Sequence, residues 1–428
     1  PVDWFPCFES FGPFECAFYP VPLDYSEVTE DFYETGNQEA IEIVVIRLPA
    51  TDPANKIGSL FLNPGGPGGS GVNFVINAGA FLYTPEVRAK FDIVGFDPRG
   101  TNRSAALSCF TSFEHLDEFF ALRAFPDTIE DINAQIAFDD NFRQKCAANA
   151  LPIIDNMTTA DVARDMEILR RAVGDYDGLT YAGYSYGSFL GVTYANMFPN
   201  SVRAVIVDAV LDPIAWTTGR PQTRNLPFST RLRSDAGAQA TLEEFFRLCD
   251  LADLPRCAFA GDAAGRYDAL LERLAVDPIT LIFPDESTLF IDNIELTGFT
   301  LGVLYNPFNW ALYAQDLAFL ESIPTTSAAS TQFNVLGRMP ELNEEPLVPQ
   351  TIEAFPGVAC SDSDNPSNPL VWAVAGLVSE FVYGDFGRIW TWASSPCADW
   401  PASKSSRYAG PFTRNTSNTV LVTSTVFD

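Results

Sequence analysis

The chain has 428 residues, 47% of them hydrophobic, so it can bury a large core and is long enough for two or three domain-sized units. Its 55 acidic residues outnumber the 26 basic ones, which gives a formal net charge of -29. This charge excludes electrostatic binding to nucleic acid or to an anionic membrane, because both would be repelled. The acidic residues form either a solvated coat or, in part, a pocket that attracts a cationic group such as a peptide's α-amine.

The start of the chain carries no charged region followed by an apolar stretch, so we expect any signal peptide to have been removed and the mature form to begin near Pro1. The longest clean apolar run extends from Leu370 to Val378. A membrane-spanning helix needs roughly 20 apolar residues, about twice this length. We therefore expect the run to lie in a core or an interface, and no membrane partner.

In the first half of the chain, short β-branched and aromatic runs alternate with helical patterns. This alternation predicts an α/β fold in which helical crossovers join the strands of a mostly parallel sheet with covered faces. A helix is predicted over Thr159 to Val173, where apolar residues recur at helical spacing behind a Thr158/Asp161 capping box. The predicted strands are Ile41 to Leu48, Ile57 to Asn63, Phe91 to Asp97, Leu179 to Gly183 and Ala204 to Val210.

A G-x-S-x-G motif, residues 183–187, follows the predicted strand that ends at Gly183 and precedes an apolar helical run from Phe189 to Met197. In this context the motif predicts a tight strand-to-helix turn that exposes a nucleophilic serine at the edge of the sheet. The helix N-terminus then faces the reaction. We predict that Ser185 is the nucleophile.

A nucleophilic serine also needs hydrogen-bond donors where negative charge develops on the tetrahedral intermediate. One predicted donor is the backbone N–H of Tyr186, the residue after the nucleophile. The second is predicted from N-P-G-G-P-G-G-S-G, residues 63–71, a glycine-rich loop after an earlier strand, with Gly66 as the donor. The loop lacks the Lys-Ser/Thr ending of a P-loop and does not match GxGxxG, so the alternative to an oxyanion loop is a flexible turn.

After Asp212-Pro213 the pattern changes to helical segments rich in Phe and Leu, and an apolar strand is predicted again only at Thr419 to Thr425. We interpret residues 1–213 as the N-terminal part of the core. Residues 214–405 form an inserted, mainly helical cap that contributes to the substrate site. Residues 406–428 return to the core sheet.

The eight cysteines occur as four pairs of sequence neighbours, without CxxC or Cys/His metal spacing, which favours disulfides over zinc. Spacing does not fix the connectivity, and we expect nearest-neighbour pairing. Three N-x-[ST] sequons indicate glycosylation, and with the cysteines they predict a secreted, extracellular protein. The expected pairs are Cys7 with Cys16, Cys109 with Cys146, Cys249 with Cys257 and Cys360 with Cys397, and the sequons are at Asn102, Asn156 and Asn415.

Four segments occur in the order of one known family: the glycine-rich loop, D-I-V-G-F-D-P-R-G at 92–100, the helix from Thr159 and G-Y-S-Y-G. The chain resembles the secreted tripeptidyl and prolyl aminopeptidases of the α/β-hydrolase fold. The similarity is continuous from about Asp3 to Pro213, weak through the cap, and present again at C-S-D, residues 360–362, at C-A-D-W-P, residues 397–401, and in the final strand.

The resemblance implies cleavage near the free N-terminus of a peptide, through an acyl-enzyme on Ser185. Carboxylates of the cap would hold the substrate's α-amine, and the candidates are Asp362, Glu344 and Glu345. No metal or organic cofactor is implied. The resemblance does not separate peptide substrates from esters.

A serine hydrolase of this fold needs an acid and then a histidine after the nucleophile. Asp428 follows the last predicted strand, where the family's triad acid is followed by proline, so Asp428 is the predicted acid. The single histidine, His115, precedes Ser185 in a Phe-rich segment and is interpreted as structural. We therefore expect a C-terminal fragment of the same precursor to carry the catalytic histidine.

Three functions remain open. The first is an aminopeptidase of the tripeptidyl or prolyl type, and the second is an esterase or lipase whose acyl channel is formed by Phe-rich segments of the cap. The third is a catalytically inactive secreted binding protein, which would explain neither the serine turn nor the glycine loop.

Overall fold

The computed structural model describes residues 2–27, 39–110, 122–283, 288–323, 327–329 and 348–427. In this part of the chain, eight strands form one sheet in the order β1-β2-β3-β5-β4-β6-β7-β11. The strands are β1 (Phe5–Cys7), β2 (Phe14–Pro22), β3 (Ala40–Leu48), β4 (Gly58–Asn63), β5 (Phe91–Phe96), β6 (Leu179–Tyr184), β7 (Val202–Asp208) and β11 (Val420–Thr423).

At one side of the sheet, β1 and β2, β2 and β3, and β3 and β5 are antiparallel neighbours. The remaining strands, from β5 through β4, β6 and β7 to β11, are all parallel. In the parallel part, the carboxyl ends of all five strands meet at one edge, which is where ligands bind in sheets of this type. The predicted α/β fold with a mostly parallel sheet is therefore confirmed.

The described residues of the first half contain five α-helices. They are α1 (Gly71–Ala78), α2 (Pro85–Lys90), α3 (Ile129–Asn149), α4 (Thr159–Ala172) and α5 (Tyr186–Met197). Thr158 caps helix α4, because its side chain accepts a hydrogen bond from the Asp161 N–H in a complete capping box. The helix buries Val162, Met166 and Leu169. These apolar residues recur at helical spacing, so one face of the helix is buried against the sheet.

The segment between β7 and β11 is mainly helical. Its helices are α6 (Pro213–Trp216), α7 (Phe228–Leu232), α8 (Ser234–Ala252), α9 (Ala263–Val276), α10 (Asn293–Leu304), α11 (Trp310–Ser322), α12 (Val348–Asp362), α13 (Leu370–Tyr383) and α14 (Gly387–Trp392). The described residues also contain a small sheet in the order β10-β8-β9, formed by β8 (Ile279–Ile282), β9 (Thr288–Ile291) and β10 (Ser327–Ala329).

A second hydrophobic core lies within this segment, between Leu242 and Ile323, and also includes Phe386. Both ends of the segment contribute instead to the large core beneath the sheet, through residues such as Trp216 and Cys360. The helical insertion is thus anchored in the core at both of its ends.

The described cysteines form four disulfides, each between sequence neighbours: Cys7–Cys16, Cys109–Cys146, Cys249–Cys257 and Cys360–Cys397. Two of them join elements that are distant in the chain, since Cys109–Cys146 ties the segment after β5 to α3 and Cys360–Cys397 ties α12 to the segment after α14. Within the ranges given above, no helix is both long and apolar enough to cross a membrane.

Candidate active site

Ser185 lies between β6 and α5 with φ 54° and ψ -123°, a backbone conformation that costs a non-glycine residue free energy. Its N–H donates to the carbonyl of Asp208 at 3.0 Å, which fixes the turn against the end of β7. A Cβ atom at Gly183 would lie 2.2 Å from the Gly187 carbonyl oxygen, so glycine is required on the strand side of the turn. The turn has the strained geometry that projects a nucleophile from a sheet edge.

The glycine-rich loop lies directly against this turn. A Cβ atom on Gly65 would be 2.5 Å from the Tyr184 carbonyl oxygen, 3.0 Å from the Ser185 Cβ and 3.1 Å from the Tyr186 nitrogen. Gly65 and Gly66 have φ values of 102° and 108°, in the region that favours glycine. The structure therefore brings the predicted loop and the predicted nucleophile into contact.

The backbone N–H groups near Ser185 differ in their availability. The Gly65 N–H donates to Asn63 Oδ1 at 2.9 Å and is already occupied. The Gly66 N–H has no acceptor among the described residues, and the Tyr186 N–H belongs to the first residue of α5, where helical N–H groups have no intrahelical partner. These two free donors are the pair predicted for the oxyanion.

Asp97, at the end of β5, holds the far end of the glycine loop. Its Oδ1 accepts hydrogen bonds from the Ser70 hydroxyl and from the Val72 N–H at 3.2 Å, while its Oδ2 accepts from the Arg103 N–H at 3.3 Å. Burial raises the pKa of Asp97, although these hydrogen bonds oppose the rise. In the sequence, Asp97 stood out only as part of a family motif. Its contact with Ser70 could not be predicted, because the two residues lie 27 positions apart in the chain.

Behind the nucleophile turn, the Tyr186 ring extends into the core, where its hydroxyl contacts Thr159 Oγ1. Asp362, at the end of α12, accepts from the Thr159 N–H at 2.9 Å, from Thr159 Oγ1 at 2.6 Å and from Trp216 Nε1 at 3.3 Å. This carboxyl group is only 2% exposed, and burial raises its pKa to about 6.

These contacts give Asp362 a structural role, because it joins the insertion to the N-terminus of α4. Its oxygens are occupied and sealed from solvent, so this geometry does not favour Asp362 as an amine anchor. The sequence pattern could not reveal this, since a buried aspartate and an exposed one look alike in a single sequence.

Several predicted residues lie outside the described residues: Asp428, His115, Glu344 and Glu345. The strand before Asp428 is nevertheless present, and β11 pairs with β7 so that Thr423 is opposite Asp208. Asp208 is in turn opposite Tyr184, the residue before the nucleophile. The chain therefore leaves β11 at the same edge of the sheet as Ser185.

The sheet has an uncovered apolar edge at β11. Leu421 is 53% exposed and Val422 is 60% exposed. Strands at the parallel end of an α/β sheet are normally buried on both faces, and an open apolar edge strand is a ready site for pairing.

The three sequons differ in exposure. Asn415 is exposed and Asn156 is partly exposed, whereas Asn102 is only 5% exposed and has φ 48°. The burial of Asn102 disagrees with the predicted glycan at that position, because a glycosylated asparagine must face solvent. No cluster of His, Cys, Asp and Glu side chains suitable for a metal ion occurs in the described ranges.

A family model described as alpha/beta hydrolase fold matches residues 58–241, from β4 into α8. Carboxylesterase B of Mycobacterium tuberculosis is 30% identical to the chain in an alignment of 412 positions that covers 91% of this chain and 71% of that protein. The chain therefore belongs to the α/β-hydrolase family, and its strained serine turn is that of the family's serine hydrolases.

Two further relatives carry peptidase names. Serine protease Hip1 of Mycobacterium tuberculosis is 34% identical over 293 residues, 65% of this chain and 51% of that protein. Tripeptidyl aminopeptidase of Streptomyces lividans is 35% identical over 219 residues, 50% of this chain and 38% of that protein. The chain thus spans about half or less of the length of these two relatives.

Proposed function

We propose that the protein is a serine hydrolase in which Ser185 attacks the carbonyl carbon of an amide or ester. A histidine takes the serine proton and passes it to the leaving amine or alcohol, so that the C–N or C–O bond breaks as the acyl-enzyme forms. The N–H groups of Gly66 and Tyr186 stabilise the oxyanion, and Asp428 orients the catalytic histidine. The observation that carries this proposal is the strained Ser185 turn in contact with the glycine-rich loop. Water then hydrolyses the acyl-enzyme, with the same histidine acting as the base.

The histidine is proposed to come from a C-terminal fragment of the same precursor. The exposed apolar residues of β11 support this, because a further segment packed there would cover them and would lie next to the edge that carries Ser185. A serine without a base is a weak nucleophile, and loss of a triad member costs several orders of magnitude in rate. We therefore expect residues 1–428 on their own to be nearly inactive.

The proposed substrate is a peptide with a free N-terminus, from which the enzyme releases short N-terminal peptides or residues. The relatives named tripeptidyl aminopeptidase and serine protease support a peptide substrate. The net charge of -29 supports a cationic one, since an acidic protein raises the local concentration of positively charged groups. Glu344 and Glu345 stay predictions as amine anchors. The four disulfides support secretion.

The second candidate is a carboxylesterase. It is favoured by the relative named carboxylesterase B, which aligns with more of this chain than the two relatives named as peptidases do. The third candidate is an inactive binding protein, which would not explain the strained Ser185 turn.

One substrate panel separates the three functions. Alanyl and prolyl anilides and a tripeptidyl anilide, each with a free and with a blocked N-terminus, are compared with short nitrophenyl esters, and Ser185→Ala serves as the blank. An aminopeptidase cleaves the free anilides and loses this activity when the amine is blocked. Equal rates on free and blocked anilides, or cleavage of esters alone, would reject the aminopeptidase. The full-length protein is the chain together with the proposed C-terminal segment, and no cleavage above the blank by this protein would reject both enzymes.

A further inference from the structure

Helix α13 is apolar on almost all sides, although only one side of it is buried. The buried side packs against α3 and α14 in a small core that includes Trp372 and Trp392. A helix that is apolar all round is normally buried all round. The other side of α13 instead carries six exposed apolar residues at helical spacing, which we call the α13 face: Leu370, Val374, Leu377, Val378, Phe381 and Val382.

Buried contacts fix the orientation of α13. Trp372 Nε1 donates to Ser394 Oγ at 2.9 Å, and the Ser379 hydroxyl donates to the Asp235 carboxylate of α8. The α13 face is therefore a fixed part of the described surface. The sequence placed the run from Leu370 to Val378 in a core or an interface, and the core accounts for only one side of the helix.

The α13 face is larger than most apolar patches on monomers. Phe381 is 90% exposed, and the other five residues are between 52% and 64% exposed. With about 160–220 Å² for a fully exposed Val, Leu or Phe, the face presents roughly 650 Å². The largest apolar patch on a typical monomer is about 300–600 Å². Two copies of the face would together bury about 1,300 Å², within the range of about 1,200–2,000 Å² for stable interfaces.

The charges of this helix are already paired within the chain. The ionisable side chains of α13 are Glu380 and Tyr383. Glu380 forms an ion pair with Arg388 at 2.8 Å, and the Arg233 guanidinium lies 3.6 Å from the centre of the Tyr383 ring. A second copy could therefore approach the face without burying an unpaired charge, which would be costly.

A lipid surface fits this face less well than a second copy does. Amphipathic helices that lie on membranes are rich in Lys and Arg on their polar side. Helix α13 contains neither, and it belongs to a chain with a net charge of -29. Electrostatic attraction would not hold this helix on an anionic membrane.

The C-terminal segment proposed above has its place at β11, away from α13. Helix α13 packs against α3, which the Cys109–Cys146 disulfide ties to the segment after β5. Strands β4, β6 and β7 separate β5 from β11 in the sheet, a distance of about 19 Å at a strand spacing of about 4.8 Å. A segment that covers β11 therefore leaves the α13 face open.

We propose that the α13 face is a homodimer interface, in which α13 of one copy packs antiparallel against α13 of a second copy. The contact is isologous, because the same face serves both copies. The antiparallel arrangement places Phe381 of each copy near Leu370 of the other. The interface involves neither Ser185 nor the glycine-rich loop, and the proposal does not depend on hydrolysis.

The test is sedimentation velocity of the full-length protein over a concentration series. We expect a monomer–dimer equilibrium in which the dimer predominates at micromolar concentration. Phe381→Glu should raise the dimer dissociation constant by at least about 100-fold, since the charge enters a symmetric contact twice. Phe308→Glu is the matched control, because Phe308 is 92% exposed but lies outside α13, and it should dimerise like wild type.

Salt provides a second readout of the same equilibrium. Added NaCl screens the repulsion between two acidic copies, so it should tighten a dimer that is held by an apolar face. An interface that is held by ion pairs would weaken instead, which would contradict the proposal.

A cross-linking variant tests the face without introducing a charge, and it keeps the proposal testable if Phe381→Glu fails to fold. All eight cysteines form disulfides, so Val374→Cys adds one thiol in the middle of the face. A short bismaleimide should link two copies of Val374→Cys, and it should not link copies of Phe308→Cys.

The proposal is overturned if the full-length protein stays monomeric, if Phe381→Glu and Phe308→Glu dimerise equally, or if the two cysteine variants cross-link equally. Two results would also overturn it and assign another occupant. A monomer that binds phosphatidylcholine vesicles, and loses this binding in Phe381→Glu, would assign the face to a lipid surface. A monomer whose added thiol in Val374→Cys does not react with maleimide would assign the face to the C-terminal segment.

Discussion

The contact between the glycine loop and the nucleophile turn makes Gly65 the most informative position to change. Gly65→Ala adds a Cβ atom 2.5 Å from the Tyr184 carbonyl oxygen and 3.0 Å from the Ser185 Cβ, at a φ of 102°. A non-glycine residue in the left-handed region costs about 1–2 kcal/mol, and overpacking in a close-packed site adds about 1–3 kcal/mol. We expect the free energy of unfolding to fall by about 2–5 kcal/mol.

The same substitution should also damage catalysis. The added methyl group pushes the loop away from the turn, and with it the Gly66 N–H that is proposed to bind the oxyanion. Loss of one such donor lowers kcat by about 100- to 1000-fold. We expect a fall of this size in the full-length protein on its best substrate from the panel.

Gly174→Ala is the matched control, because Gly174 has φ 91° and an added Cβ there would meet nothing within 4 Å. It carries the backbone cost without the contact, so it should lower the free energy of unfolding by only about 1–2 kcal/mol and leave kcat unchanged. Both variants are compared by urea unfolding and by steady-state kinetics. Equal destabilisation of the two, with full activity in Gly65→Ala, would refute the contact between loop and turn.

Two further predictions concern buried charged groups. Because burial raises the pKa of Asp362 from 3.8 to about 6, the native state holds this proton more tightly than the unfolded state. Stability from this group is therefore present at low pH and is lost between about pH 4 and pH 6, by about 3 kcal/mol. Asp362→Asn should remove that part of the pH dependence of the free energy of unfolding, measured in urea. Identical pH profiles of wild type and Asp362→Asn would contradict this prediction. Arg231 is buried and donates to backbone carbonyls on three segments of the insertion. Each buried carbonyl left without a donor costs about 1–3 kcal/mol, so Arg231→Met should destabilise by at least about 3 kcal/mol in thermal or urea unfolding. The exposed control Arg224→Met should have little effect.

The elements nearest the site could be predicted from the sequence alone. Strands β3 to β7 and helices α4 and α5 were recognisable because their apolar residues follow the strand or helix period and because capping residues or glycines mark their ends. The glycine loop was predicted to supply an oxyanion donor because of its glycines and its position after an earlier strand. The structure explains its contact with Ser185, since the loop and the serine follow strands that lie side by side in a parallel sheet.

Other features could not be read from a single sequence. Strand β2 contains Pro20 and ends at Pro22, which argues against a strand by pattern, yet it pairs with β3 along its length. The cap strands β8 and β9 have four residues each, too few for a clear alternation. Asp97 and Asp362 were visible as acids, but their burial depends on partners that are distant in the sequence.

The measurement that tests the central proposal most directly is labelling of the full-length protein with a fluorophosphonate probe, located by mass spectrometry of the digested protein. We expect one label, on Ser185, that is absent from Ser185→Ala and forms orders of magnitude more slowly on the chain that ends at Asp428. Labelling of another residue, or equal labelling of Ser185→Ala, would contradict Ser185 as the nucleophile. A folded, full-length protein that takes up no label would show that the strained turn does not serve catalysis.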